Sequence, residues 1–184
     1  MRSSQIGELS CAIARAVGAV GDPWTLMIVR ELFLGSRKFE DLQAQTRASP
    51  ALLTQRLKEL VADDILSKRQ YQDTPPRYEY HLTRKGVDLW PLMLALKHWG
   101  DRWGGWKGKP PAELRHLNCG GATGMKLVCE CCGEPLTAFE VELRQREQMR
   151  TQRAELLEEQ RQQSAAKVKA RVQTEKTRRR KAAA

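Results

Sequence analysis

Apolar residues in the first part of the chain recur at helical spacing, and cap and turn residues fill the gaps between the runs. Leu9, Ile13, Val17 and Val20 predict an amphipathic helix over about 7–20. Asp22-Pro23 restarts the chain, because Asp caps a helix and Pro fits the first turn, where its missing N–H is no loss. A second helix follows through Trp24, Ile28 and Leu32, and Gly35 punctuates it. Phe39 and Leu42 predict a short third helix over 38–45, and Thr46-Arg47-Ala48 reads as a tight turn. Ser49-Pro50 repeats the cap-then-proline device. The fourth helix, 50–63, places Leu53, Leu57, Leu60 and Val61 in one stripe and turns Ala51, Thr54, Gln55 and Lys58 away from it. Two short helices joined by a tight turn, the second polar on its outer face, make a helix-turn-helix arrangement.

The period then changes. Segments 65–72 and 77–82 are rich in Ile, Leu and Tyr around Asp73-Thr74-Pro75-Pro76, which predicts a hairpin with a protruding tip. From Thr83 a further helix carries Leu89, Leu92, Met93, Leu96, Trp99 and Trp103 on a broad apolar face. Gly104, Gly105, Gly108 and Pro110-Pro111 end it. The predicted class is mainly α with a β-hairpin wing (α+β): a winged helix-turn-helix over 11–109 behind an N-terminal segment 1–10. A Cys/His-rich knuckle over 112–139 and a basic helical or disordered tail over 140–184 complete the chain. No repeat at a period of tens of residues is visible.

Charge sharpens the division. The 184 residues carry 32 Lys and Arg against 22 Asp and Glu, a net +10, and an acidic polymer is the first partner to consider. Residues 140–184 hold 13 of the basic and 7 of the acidic side chains, and every aromatic lies at or before Phe139. Core-forming residues and excess charge are therefore segregated. The tail lacks a heptad, and its run Lys176-Thr-Arg-Arg-Arg-Lys181 suits phosphates without sequence preference. It could equally be a solvated terminus. The longest apolar run, 90–96, is far short of the ~20 residues of a membrane span, and no signal-like segment opens the chain, so a cytoplasmic protein without a membrane partner is expected.

A recognition helix reads base edges mainly through its amino-terminal half. The candidates here are Ser49, Ala51, Thr54, Gln55 and Arg56. Gln55 suits adenine bidentately and Ala51 a thymine methyl; Arg56 and Lys58 suit phosphates, and Arg77 on the hairpin suits an adjacent backbone or minor groove.

Cys11-Ala-Ile-Ala-Arg15, Gly21-Asp-Pro-Trp-Thr-Leu26, Arg37-Lys-Phe-Glu-Asp-Leu42, Leu53-Thr-Gln-Arg-Leu-Lys-Glu-Leu60, Tyr78-Glu-Tyr-His-Leu-Thr83 and Lys85-Gly86 occur in that order. Over roughly 11–109 the chain resembles the HxlR-type transcriptional regulators, relatives of the MarR group. The resemblance implies a bacterial homodimer that binds a pseudo-palindromic duplex as repressor or activator, with its first and last domain helices at the dimer interface. The 89–103 face agrees with that, although from periodicity alone it could instead cap the monomer core. The family also carries a cysteine ahead of its first block, which in some members senses oxidants or electrophiles. Cys11 matches that position, and Arg15 lies one turn on; the alternative is a small buried apolar residue. A small-molecule or electrophile inducer is thus a further expected partner.

Four of the five cysteines crowd into 119–132. His116-Leu-Asn-Cys119-Gly120 and Cys129-Glu-Cys-Cys132-Gly133 share one shape: donor, two residues, donor, glycine. Together His116, Cys119, Cys129 and Cys132 offer the Cys₃His set of a closed structural Zn²⁺ site, which leaves no position for substrate. The other readings are reduced, unliganded thiols or a redox pair, and Cys131 is a spare thiol. No nucleophile motif or phosphate-binding glycine loop appears, so an enzyme is not expected. Two rivals to the regulator stand: a thiol-based redox protein using Cys129 and Cys132, and a nonspecific architectural nucleic-acid binder driven by the tail.

Overall fold

The computed structural model describes residues 6–182, with side chains as far as Arg171. Its elements run α1 (Ala12–Val20), α2 (Pro23–Phe33), α3 (Phe39–Thr46), α4 (Pro50–Ala62), β1 (Leu66–Gln72), β2 (Arg77–Leu82), α5 (Arg84–Val87), α6 (Trp90–Trp103) and α7 (Glu147–Ala182). Two compact units result: 17–141, and 1–16 together with 142–184.

In the larger unit, Val20, Ile28, Leu32, Leu42, Leu53, Leu57, Leu60, Ile65 and Leu66 form one buried cluster, with Trp24, Phe39, Tyr80 and Leu89 packed around it. The predicted stripe of α4 is thus the face that folds inward; Val61 at its edge is half-buried. The caps form as the sequence indicates. Asp22 Oδ1 accepts from Trp24 N (3.0 Å) and Thr25 N (3.1 Å), and Ser49 Oγ accepts from Leu52 N (3.3 Å). Between α3 and α4, Arg47 takes the left-handed conformation at φ 56°, and Thr46 Oγ1 bonds back to Leu42 O (2.7 Å). That turn sets the angle between the two helices.

β1 and β2 pair antiparallel from Leu66↔Leu82 to Gln72↔Arg77, with a bulge between Gln70 and Gln72. The hairpin is also tied to the loop before α3, through Tyr80 N to Arg37 O (2.9 Å) and a bridge between Lys38 and Glu79. This third edge had no signal in the sequence, because a single bridging residue has no period.

Two predicted helices differ in extent. The first is interrupted: Ile6 and Gly7 are helical, the chain turns and bends over 8–10, and α1 runs from Ala12. The helix predicted from Thr83 onward is two, since α5 stops at Val87 and α6 starts at Trp90. Pro91 lacks the N–H that would bond back to Val87, so it sits in a first turn more readily than in a helix interior. No residue of α6 is buried. Among the described residues no single helix is long and apolar enough to cross a membrane.

In the smaller unit, α7 is a continuous 36-residue helix, polar on all sides. Gln152 Oε1 accepts from Ser10 N at 2.5 Å. The tail expected as helical or disordered is helical here, and the side chains of its basic run 176–181 lie outside the described residues.

Candidate nucleic-acid interface

Burial of Leu53, Leu57 and Leu60 fixes the rotation of α4 about its axis, and the remaining positions follow. Ser49, Ala51, Thr54, Gln55 and Lys58 are all exposed along one side, the predicted outer face. Ser49 uses its hydroxyl oxygen as a cap acceptor and keeps its O–H free to donate. Gln55 Nε2 donates to Glu59 Oε1 (3.0 Å), an exposed bond one turn apart worth a few tenths of a kcal/mol. A ligand can displace it at little cost.

Arg56 is placed differently from its neighbours. Its guanidinium bridges Asp22 Oδ2 (3.0 Å) and Glu59 Oε2 (2.6 Å) and is only 24% exposed. Asp22 thus caps α2 with one oxygen and holds α4 with the other. The hydrogen bond to Glu59 leads in raising the Arg56 pKa and in lowering that of the Glu59 carboxyl. Arg56, expected from sequence to meet DNA, is paired with protein carboxylates and ties α4 to the start of α2. Sequence spacing could not reveal a partner 34 residues away. Arg77 is about half exposed and lies 3.8 Å from Glu40, an ion pair that leaves it accessible on the hairpin. Thr54, Leu57, Lys58, Val61 and Ala62 of α4, with Lys68 and Tyr80 of the hairpin, line an open concavity of about 360 Å³. Lys68 Nζ sits 3.6 Å from the centre of the Tyr78 ring. Burial, first, and then Tyr78 raise the pKa of Tyr80.

The double role of Asp22 gives a stability prediction. Asp22→Ala removes both cap bonds and a charge-assisted partner of Arg56 and should cost about 2 kcal/mol. Asp22→Asn keeps the capping oxygen and should cost under about 1 kcal/mol. Urea unfolding of both variants checks this; equal losses would contradict the division between the two oxygens. Glu59 adds a small acid-side dependence. Its lowered carboxyl contributes stability that is complete above its unfolded pKa and is lost as pH falls through the folded value. Half exposed, it supplies no more than a few tenths of a kcal/mol.

The Cys/His segment forms two turns with the same backbone pattern. In one, His116 N donates to Gly121 O (2.9 Å), Gly120 N to His116 O (2.8 Å) and Thr123 N to Leu114 O (2.8 Å). In the other, Cys129 N donates to Glu134 O (2.9 Å), Gly133 N to Cys129 O (2.8 Å) and Leu136 N to Leu127 O (2.8 Å). Arg115 bridges Ala122, and Val128 bridges Pro135, in matching positions. Gly120 and Gly133 take φ of 68° and 75°, which glycine adopts without steric cost. His116 Nδ1 lies 3.4 Å from Cys119 Sγ. The N–H groups of Cys132, first, and Cys131 hydrogen-bond to the Cys129 sulfur and hold that thiol below its ordinary pKa. The four predicted ligands stand as two pairs: among the described residues no three His, Cys, Asp or Glu side chains converge on one point. Cys131 is exposed, and Cys11 is half-buried just before α1.

Comparison with known proteins identifies this architecture. The model of the HxlR-like helix-turn-helix family matches residues 19–107. The uncharacterised HTH-type transcriptional regulator Rv3095 of Mycobacterium tuberculosis is 38% identical over 130 residues, 71% of this chain and 82% of its own. A second such regulator, sll1512 of Synechocystis, is 34% identical over 94 residues, half of this chain and 70% of its own. The crystal structure of PA1607, a proposed transcription factor, superposes with a TM-score of 0.70 at 26% identity, covering 77% of this chain and 99% of that one. PA1374 of Pseudomonas aeruginosa, described in the same terms, gives 0.55 at 27% identity with the same coverage. With a winged helix-turn-helix fold and these relatives, the chain belongs to the HxlR-like helix-turn-helix family of transcriptional regulators and is not an enzyme.

Proposed function

We propose that the protein binds a specific, pseudo-palindromic duplex operator as a homodimer, one α4 entering each of two successive major grooves. One observation carries the reading: burial of Leu53, Leu57 and Leu60 leaves Ser49, Ala51, Thr54, Gln55 and Lys58 on one accessible face. Gln55 reads a base edge, Ala51 and Thr54 shape the contact, and Lys58 and Arg77 bind phosphate. Arg56 acts through Asp22, by holding the helix. Such a regulator works at the chromosome, in the cytoplasm. Within this reading Cys11, just ahead of α1, is where an oxidant or electrophile would act, and the sign of regulation is left to the operator's position.

Fluorescence anisotropy with the protein's own promoter and a random duplex tests the assignment. Gln55→Ala should weaken promoter binding by about 1–3 kcal/mol and leave random duplex almost unchanged. Lys58→Ala should weaken both alike and reduce the salt slope by about one. Equal effects of Gln55→Ala on both duplexes would favour the nonspecific, tail-driven reading.

A further inference from the structure

We infer that the two turns at 116–120 and 129–133 are the halves of one metal site, with His116, Cys119, Cys129 and Cys132 binding a single Zn²⁺-class ion as a closed, structural tetrahedron. The first support is the backbone. Five features recur at corresponding positions of both turns: three main-chain hydrogen bonds, a flanking bridge, and a glycine of positive φ immediately after the second donor. Segments that share the donor spacing, the glycine after it and a leucine two residues before it, and otherwise differ in side chain, have the same local geometry. The common element is the aim of two donors toward one point.

The second support is a distance. Around a tetrahedral ion with Zn–N near 2.0–2.1 Å and Zn–S near 2.3 Å, the nitrogen and sulfur lie roughly 3.5 Å apart. His116 Nδ1 and Cys119 Sγ are 3.4 Å apart. That separation, which also suits a hydrogen bond between the two side chains, matches one edge of the tetrahedron.

The third is the lack of a buried core within the segment, whose Leu114 and Met125 lie only half-buried beside Leu94 and His98 of α6. No residue from 112 to 139 is buried, and Leu117, Leu127 and Phe139 are exposed. So short a stretch without a core must be cross-linked or remain loose, and a structural ion is one of the few available cross-links. Three thiolates and an imidazole select a soft-accepting divalent ion over magnesium or calcium. Binding would release the thiol protons and draw the two pairs together. Cys131, on the same turn as Cys129 and Cys132 but off the shared pattern, stays outside the set.

The experiment uses the full chain, reduced and stripped by chelator, then loaded with Zn²⁺ or Co²⁺. Native mass spectrometry should show one ion per protomer. The cobalt form should show tetrahedral ligand-field bands, with charge-transfer intensity for three thiolates. Cys119→Ser, Cys129→Ser or Cys132→Ser should lower affinity by more than about 100-fold, beyond what outer-shell changes do; Cys131→Ser should not. The main thermal transition of each variant should be retained, since no residue of the buried core cluster comes from 112–139, and this separates ligand loss from misfolding. A reduced protein that takes up no ion overturns the inference. So does a Cys129–Cys132 disulfide that persists under reductant, or an ion that survives His116→Ala and is lost in Cys131→Ser. None of these outcomes bears on whether α4 reads DNA.

Discussion

Gly86→Ala is expected to destabilise the winged domain by about 3 kcal/mol, although a helix ordinarily gains up to about 1 kcal/mol from that exchange. Gly86 is buried in α5, where a Cβ would fall within contact distance of the Ile65 carbonyl oxygen, with Leu82 Cδ2 at 3.0 Å and Leu82 Cβ at 3.3 Å. The carbonyl cannot swing away freely, because it accepts from Thr83 N (3.0 Å) at the junction of α4 and β1. Thr83 Oγ1 in turn caps Gly86 N (3.1 Å) and donates to Asp64 O (2.6 Å). Adding one methyl therefore displaces the whole turn, and overpacking of this kind costs about 1–3 kcal/mol, sometimes more. In a domain of about 100 residues that lowers the melting temperature by roughly 10–20 °C. A melt within about 2 °C of wild type would show that α5 moves without cost and that the glycine is there for another reason.

Gly86 also shows where legibility ended. Lys85-Gly86 was readable as part of a family pattern, yet its physical reason is a contact with a carbonyl 21 positions earlier, which local pattern does not encode. What local pattern did encode was recovered: the caps at Asp22 and Ser49, the turn at Arg47, the stripe of α4 and the two strands of the hairpin each depend on residues a few positions apart. The features that differ from expectation have separate causes, one distant and one local. Arg56 looked like its exposed neighbours until Asp22 and Glu59 engaged it. The break between α5 and α6 was hidden because the apolar spacing continues across Asp88 and Leu89. The net charge, prominent as it is, located no part of the outward face of α4; more than half of it belongs to 140–184, and the outward residues of α4 include a single lysine.

The apolar face of α6 carries the second large effect. Leu92, Leu96, Trp99 and Trp103 are exposed, Trp99 at 66% and Trp103 at 63%, and α6 buries no residue in the protomer. Only the start of the predicted 89–103 face packs inward, through Leu89 on the core and Trp90 on Phe33, and the rest is left uncovered in the protomer. Two tryptophans and two leucines on one helix are far more apolar surface than scattered exposure produces, and buried aromatics are the residues that dominate association energies. Within the proposed dimer, Trp99→Glu removes one such anchor and places a carboxylate in a desolvated contact. It should weaken self-association by at least about 2 kcal/mol, some 30-fold or more. Operator affinity should fall further than any single base contact accounts for, because two joined half-sites gain about 10²–10⁴ from linkage. Sedimentation equilibrium and promoter titration measure the two losses. Thermal unfolding supplies the control: since Trp99 leaves no cavity in the protomer core, a monomeric variant should keep its helix content by circular dichroism. If Trp99→Glu remained a dimer with wild-type operator affinity, α6 would not be the interface, and the exposed face would need another partner.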